Sequence, residues 1–102
     1  MTRHILYGIR NAGVSETADA IGIRLGCTFQ ERESDYLGTY LLASVGITVI
    51  KVVPQPDPEG DPLEDDFEDY GTLVYVEAEG DFPELDGVRV ASESLTRLRL
   101  EP

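Results

Sequence analysis

Nucleophilic catalysis needs an activated nucleophile beside a base, and this chain offers a single histidine, His4, and a single cysteine, Cys27. His4 opens an apolar run, HILYG, while Cys27 follows Leu25-Gly26, which reads as a helix stop. Each suits a packing or rim position better than a catalytic dyad. With one residue of each kind, a His/Cys cluster for zinc cannot be assembled. Carboxylates are plentiful, and glycosidase-type chemistry would take two of them in one cleft with separated pKa values. Twenty acids in 102 residues leave no pair distinguished from the rest. Asp57, Glu59, Asp61 and Glu68 fall at positions one, three, five and twelve of an EF-hand-like loop. Pro62, with its fixed φ, stands where that loop takes a glycine, so no metal site is expected. The stretch from Gly8 to Ser15 has the outline of a phosphate loop but places Val14 where lysine belongs. What it leaves is a conceivable small-anion site at a helix N-terminus, helped by Arg10. The expectation is a protein without catalytic residues, cofactor or metal.

Charge says more than any motif. Twenty acids against eight bases give a net charge of −12, which repels phosphate backbones and anionic lipid. Direct nucleic-acid binding is therefore not expected. No apolar run approaches the roughly 20 residues that span a bilayer, and the N-terminus lacks the long apolar stretch of a signal peptide. One cysteine permits no intrachain disulfide, which favours a reducing compartment; a cytoplasmic location is the expectation.

The negative charge is not evenly spread. Thirteen acids lie between Asp57 and Asp86, and no Lys or Arg occurs from Val52 to Val88. The densest part, at about 54–71, also holds four of the six prolines and reads as an acidic, Pro-rich loop. Solubility or adaptation to high salt would account for such a block, but salt adaptation spreads acids over a surface. A docking surface for a basic protein accounts for the concentration. Its expected contacts are Asp61, Glu64, Asp65, Asp66, Glu68 and Asp69, with the aromatic anchors Phe67 and Tyr70 and the apolar Leu63 interleaved. A second polar patch, Glu31, Glu33, Asp35, Tyr36 and Tyr40, reads either as a solvated strand face or as part of the same contact surface. The expectation is that the charges of the loop, and of the strand after it, gather on one side of the molecule.

These residues need elements to position them. Residues 4–8 read as a first strand. Val14, Ala18, Ile21 and Leu25 share one helical face, which predicts an amphipathic helix over about 15–25 with Ser15 as N-cap and Gly26 as stop. Gly22 should weaken that helix by about 1 kcal/mol. Strands follow: Phe29, Glu31 and Glu33 on one face of an extended segment, then Thr39–Ala43 and Ile47–Val53 as a hairpin, and Thr72–Ala78 after the acidic loop. Residues 82–87 suggest a turn or short helical piece. Val88–Val90 and Thr96–Leu100 suggest short strands, with a brief C-terminal helix from Ser92 as the alternative. The predicted fold is one domain over 1–102, α+β, with a mostly antiparallel sheet of four to six strands and one amphipathic helix on one face.

Leu25-Gly26, the strand Phe29-Gln30-Glu31-Arg32-Glu33-Ser34, the hairpin Tyr36-Leu37-Gly38-Thr39-Tyr40 and the later FEDYGTLVYVE stretch at 67–77 together resemble the small acidic immunity proteins encoded beside bacterial polymorphic toxins. The resemblance covers under half of the chain. It implies immunity to a toxin without naming the toxin or its chemistry; with the charge block, the expectation is a non-enzymatic, antitoxin-like inhibitor that docks on a basic toxin domain, such as a nuclease. Two other classes stand beside it: a small regulatory or anion-binding domain using the 8–15 loop, and a structural subunit of a larger, phage-type assembly.

Overall fold

The computed structural model describes residues 2–101. In chain order the elements are β1 (Arg3–Ile9), α1 (Val14–Leu25), β2 (Gln30–Ser34), β3 (Gly38–Val45), β4 (Thr48–Pro54), β5 (Thr72–Ala78), β6 (Arg89–Val90), β7 (Glu93–Ser94) and β8 (Thr96–Glu101). Single 3-10 turns occupy Asp65–Phe67 and Pro83–Leu85. Six strands form one sheet in the order β2-β3-β4-β5-β1-β8, with every neighbouring pair antiparallel, and β6-β7 make a small separate ribbon. This is the α+β fold that the sequence predicts. The C-terminal segment is strand, not helix, and supplies the second partner that β1 requires.

Residues two apart along a strand share a face, and adjacent ones oppose. Val52 and Val53 are therefore on opposite faces of β4, yet both are 0% exposed, as are Leu73 and Val74 on β5. The sheet has a covered apolar patch on each side. On the first face Ile5, Tyr7, Ile9, Ile50, Val52, Val74 and Val76 meet Ala18 and Ile21 of α1 together with Leu85, Val88 and Val90. Tyr7 fastens the last segment to β1: its hydroxyl donates to the Asp86 carboxylate at 2.7 Å. Burial, with that carboxylate beside it, pushes the Tyr7 phenol well above the usual tyrosine range. On the second face Leu6, Val53 and Leu73 are covered by Leu63, Phe67 and Tyr70. The segment at 54–71, expected as a solvent excursion, is thus a layer of the fold.

The helix begins one residue earlier than its periodicity suggests, and its N-cap is Gly13, not Ser15. The Glu16 carboxylate reaches back to accept the Gly13 N–H at 3.2 Å, and the Thr17 hydroxyl donates to the Gly13 carbonyl at 2.8 Å. Ser15 falls inside the first turn, after the cap, and stays exposed. At the other end Gly26 takes φ +67° and closes the helix. The chain then folds back so tightly that a Cβ at Gly22 would stand 2.8 Å from the Cys27 carbonyl oxygen. Helix propensity alone says Gly22→Ala should stabilise by about 1 kcal/mol. The expected outcome is the reverse, a loss of about 1–3 kcal/mol in urea unfolding, because backbone cannot yield as a side chain can. A gain in stability would show that this close approach is not maintained.

Candidate functional site

The acidic segment leaves β4 at Pro54 and returns at β5, and one side chain holds both of its ends. Gln55, 8% exposed, donates from Nε2 to the Phe67 carbonyl at 2.9 Å and the Tyr70 carbonyl at 2.7 Å. Its Oε1 accepts the Glu64 N–H at 2.8 Å, and its own N–H donates to the Gly71 carbonyl at 3.0 Å. Asp57 shapes the first bend, its carboxylate accepting the N–H groups of Glu59 and Asp61, each at 2.9 Å. This amide-turned role differs from the outward ligand that an EF-hand loop needs at that position. Among the described residues no group of three or more His, Cys, Asp or Glu side chains is placed to hold a metal ion.

Orientation divides the predicted contact residues. Leu63, Phe67 and Tyr70 turn inward. Phe67 meets Tyr70 edge-on with ring centres 6.4 Å apart, and the Arg10 guanidinium sits 4.8 Å from the Tyr70 ring centre. Tyr70 lies so flat on β1 that a Cβ at Gly8 would stand 2.8 Å from a ring carbon. Phe67 and Tyr70 were expected as partner-facing anchors; they are instead the underside of the loop. Their spacing with Leu63, at i, i+4 and i+7, is the pattern of an inward face, and it is the signal that reveals this role.

Glu64 also turns inward, contrary to its expected docking role. Its carboxylate takes a forked pair of bonds from Arg99, at 2.7 and 3.2 Å, and a third from the Tyr75 hydroxyl at 2.7 Å. The Arg99 guanidinium and the tyrosine hydroxyl together hold the Glu64 carboxyl below the usual range. Burial, reinforced by that carboxylate, pushes the Tyr75 phenol well above its own. Arg99 reaches Glu101 as well, at 3.0 Å.

The carboxylates of Asp61, Asp65, Asp66, Glu68 and Asp69 are exposed, and among the described residues none has an ion-pair partner. The β2–β3 turn lies against this ridge. Pro58 packs on Gly38, and Leu37 joins Leu63 in the same apolar cluster. Asp35 and Tyr36, the latter 67% exposed, therefore flank the loop. Tyr40 lies in the cluster beneath, with Lys51 Nζ 5.4 Å from its ring centre. Glu31 and Glu33 do not join them. They pair with Leu41 and Thr39, while Tyr40 pairs with Arg32, so the two glutamates point to the helix side of the sheet.

Of the five acids after the loop, Glu84 is exposed at the Pro83–Leu85 turn and the other four have contacts of their own. Glu77 is 3.8 Å from His4, Glu79 accepts the Thr2 hydroxyl at 3.3 Å, Asp81 is paired with Arg3 at 2.6 Å, and Asp86 holds Tyr7. The dense block of unpaired charge belongs to the loop, and of the later acids Glu77 shares its sheet face.

Two other arrangements foreshadowed by the sequence resolve differently. The backbone N–H groups of Arg10 and Asn11, which would cradle an anion, donate to the Glu93 carboxylate at 2.6 and 2.9 Å. His4 shares the second face with Leu6, whereas Cys27 lines a groove on the helix side with Ala18, Phe29 and Leu41, so the sheet separates the two. Burial pushes the Cys27 thiol up, away from the thiolate. Sequence reasoning missed Gln55, Arg99, Tyr75 and Glu93. Their partners are distant in the chain, and no local spacing reports them.

Glu64 gives a pH test. A carboxylate held below its ordinary pKa contributes stability that is complete above that ordinary value and lost as pH falls through the depressed one. Glu64→Gln should cost about 1–2 kcal/mol at pH 7, and the difference from the parent should shrink toward zero in acid. Denaturant unfolding across pH measures it. A pH-independent difference would mean that the charged form of Glu64 is not what Arg99 and Tyr75 hold.

Comparison with protein-family models, with curated proteins and with solved structures gives no match for this chain.

Proposed function

We propose that this protein is a non-enzymatic acidic inhibitor of the immunity or antitoxin type, docking its ridge onto a basic protein domain such as a toxin nuclease. The observation that carries the reading is the ridge itself: Asp61, Asp65, Asp66, Glu68 and Asp69 project outward from a loop that is fastened from below. Such a loop has little freedom to lose on binding, which lowers the entropic cost of association. Its charge is opposite to that of a phosphate-binding groove, so it would be steered to such a groove and would compete there with nucleic acid. Tyr36, exposed beside the ridge, supplies the aromatic contact area at low conformational cost. The short resemblance to immunity proteins supports the same class of partner.

The test begins with a pull-down of neighbouring gene products and continues with association kinetics on the captured partner. Raising salt from about 50 to about 500 mM should slow association by about tenfold or more, because exposed charges are screened beyond a few ångströms. Asp65→Lys, Asp66→Lys and Asp69→Lys combined should reduce the association rate further while leaving the unfolding midpoint nearly unchanged. Tyr36→Ala should act mainly on dissociation. Tight binding indifferent to both salt and the triple reversal would remove the ridge as the docking surface.

A further inference from the structure

The ridge covers only part of the second sheet face, and the remainder forms a groove of about 330 Å³. That volume lies at the lower end of the range for small-ligand sites. We infer that this groove is a separate binding site for a small zwitterion of the α-amino-acid class, one with an apolar side chain.

Strand register sets out its floor as two adjacent rows. One row runs Leu42, Lys51, Tyr75, Leu6, Arg99, and the next runs Val49, Glu77, His4, Glu101. At the β8 end every charged group has an opposite partner: Arg99 is shared between Glu64 and Glu101, which leaves one net negative charge there. The β4–β5 end lacks such pairing. Lys51 is the only lysine in the chain. Its ammonium rests over the Tyr40 ring, and among the described residues it has no carboxylate within 4.0 Å. Among the described residues, the ion-pair partner of Glu77 is the His4 ring, at 3.8 Å.

One uncompensated cation and one nearly uncompensated anion therefore face the same groove from neighbouring strands, one diagonal step apart. Residues so related stand about 7–8 Å apart, close enough for one small molecule to touch both. A simple anion would meet Glu77 and the net charge of −12, and a simple cation would meet Lys51. A molecule with an ammonium and a carboxylate on one carbon meets neither objection. Its carboxylate pairs with Lys51, its ammonium with Glu77, and its side chain lies on Leu42 and Val49, which line the same groove. The site is distinct from the ridge and needs none of its outward carboxylates.

The full chain, isotope-labelled, is titrated with L-leucine, with 4-methylpentanoate (no ammonium) and with isoamylamine (no carboxylate), following amide shifts and heat. L-Leucine should give saturable shifts centred on Leu42, Val49, Lys51 and Glu77. Each truncated analogue should bind about tenfold more weakly or worse, the equivalent of one lost charged contact of about 1.4 kcal/mol. Lys51→Met and Glu77→Gln should each weaken L-leucine by a similar factor with unfolding midpoints close to the parent's, and the triple ridge reversal should leave it unchanged. Three results would overturn the assignment: no saturable shift from L-leucine, L-methionine or L-phenylalanine at about 10 mM, equal binding of the analogues, or variants that bind as the parent does. So would a direct Lys51–Glu77 ion pair, recognised when either substitution lowers stability and no ligand response is seen.

Discussion

The central strands β4, β5 and β1 carry apolar side chains on both faces, and everything else in the fold answers the need to keep both faces dry. One helix of twelve residues and the Pro83–Leu85 turn region can cover only the first. The second falls to the segment between β4 and β5, the most highly charged part of the chain. Its composition would ordinarily keep it in solvent. Three half-buried apolar residues offset that tendency. Full burial of such side chains is worth about 1.5–3 kcal/mol each. Repulsion between exposed carboxylates is by comparison weak, of the order of 1 kcal/mol or less for a close pair in water and smaller with salt. Packing wins, and the charges are carried along on its outer side.

Polar contacts then convert a covered face into a fixed one. Gln55 binds carbonyls near the end of the segment and an amide near its middle, while Glu64 reaches across to strands β5 and β8. A charged contact of this kind is worth more than a surface ion pair because Glu64 is mostly removed from water. Arg10 and Glu93 add a second brace near the start of α1, where one carboxylate takes two amides of the loop after β1. The chain thus satisfies with its own acid a place where an external anion was conceivable.

Much of this was legible in the residues. Thr72–Ala78 is the strand its alternation announces, and the β-branched run expected at 47–53 lies within the sheet from Thr48 onward, with Ile47 exposed in the turn before it. The helix was legible too, apart from its cap, which is Gly13, with the Glu16 carboxylate reaching back to its N–H. The site was read less well. Proline and like charge dominate the local signal over 54–71, and they hide the weaker i, i+4, i+7 spacing of Leu63, Phe67 and Tyr70. Glu31 and Glu33 sit near Tyr36 in the linear sequence, but a strand turns alternate residues away from each other, and β2 keeps that rule. Which side of the sheet a segment will cover depends on strand order, and strand order is not written in any one segment.

The way Gln55 holds the acidic segment has a bearing on how this protein can change. Its partners there are main-chain groups of Glu64, Phe67 and Tyr70, which every residue type except proline at the donor position can provide. The outward side chains take no part in the attachment. Substitutions at Asp61, Asp65, Asp66, Glu68 and Asp69 can therefore accumulate, one lineage to the next, without loosening the scaffold that displays them. The outward pattern of charge can change quickly on a scaffold that stays the same.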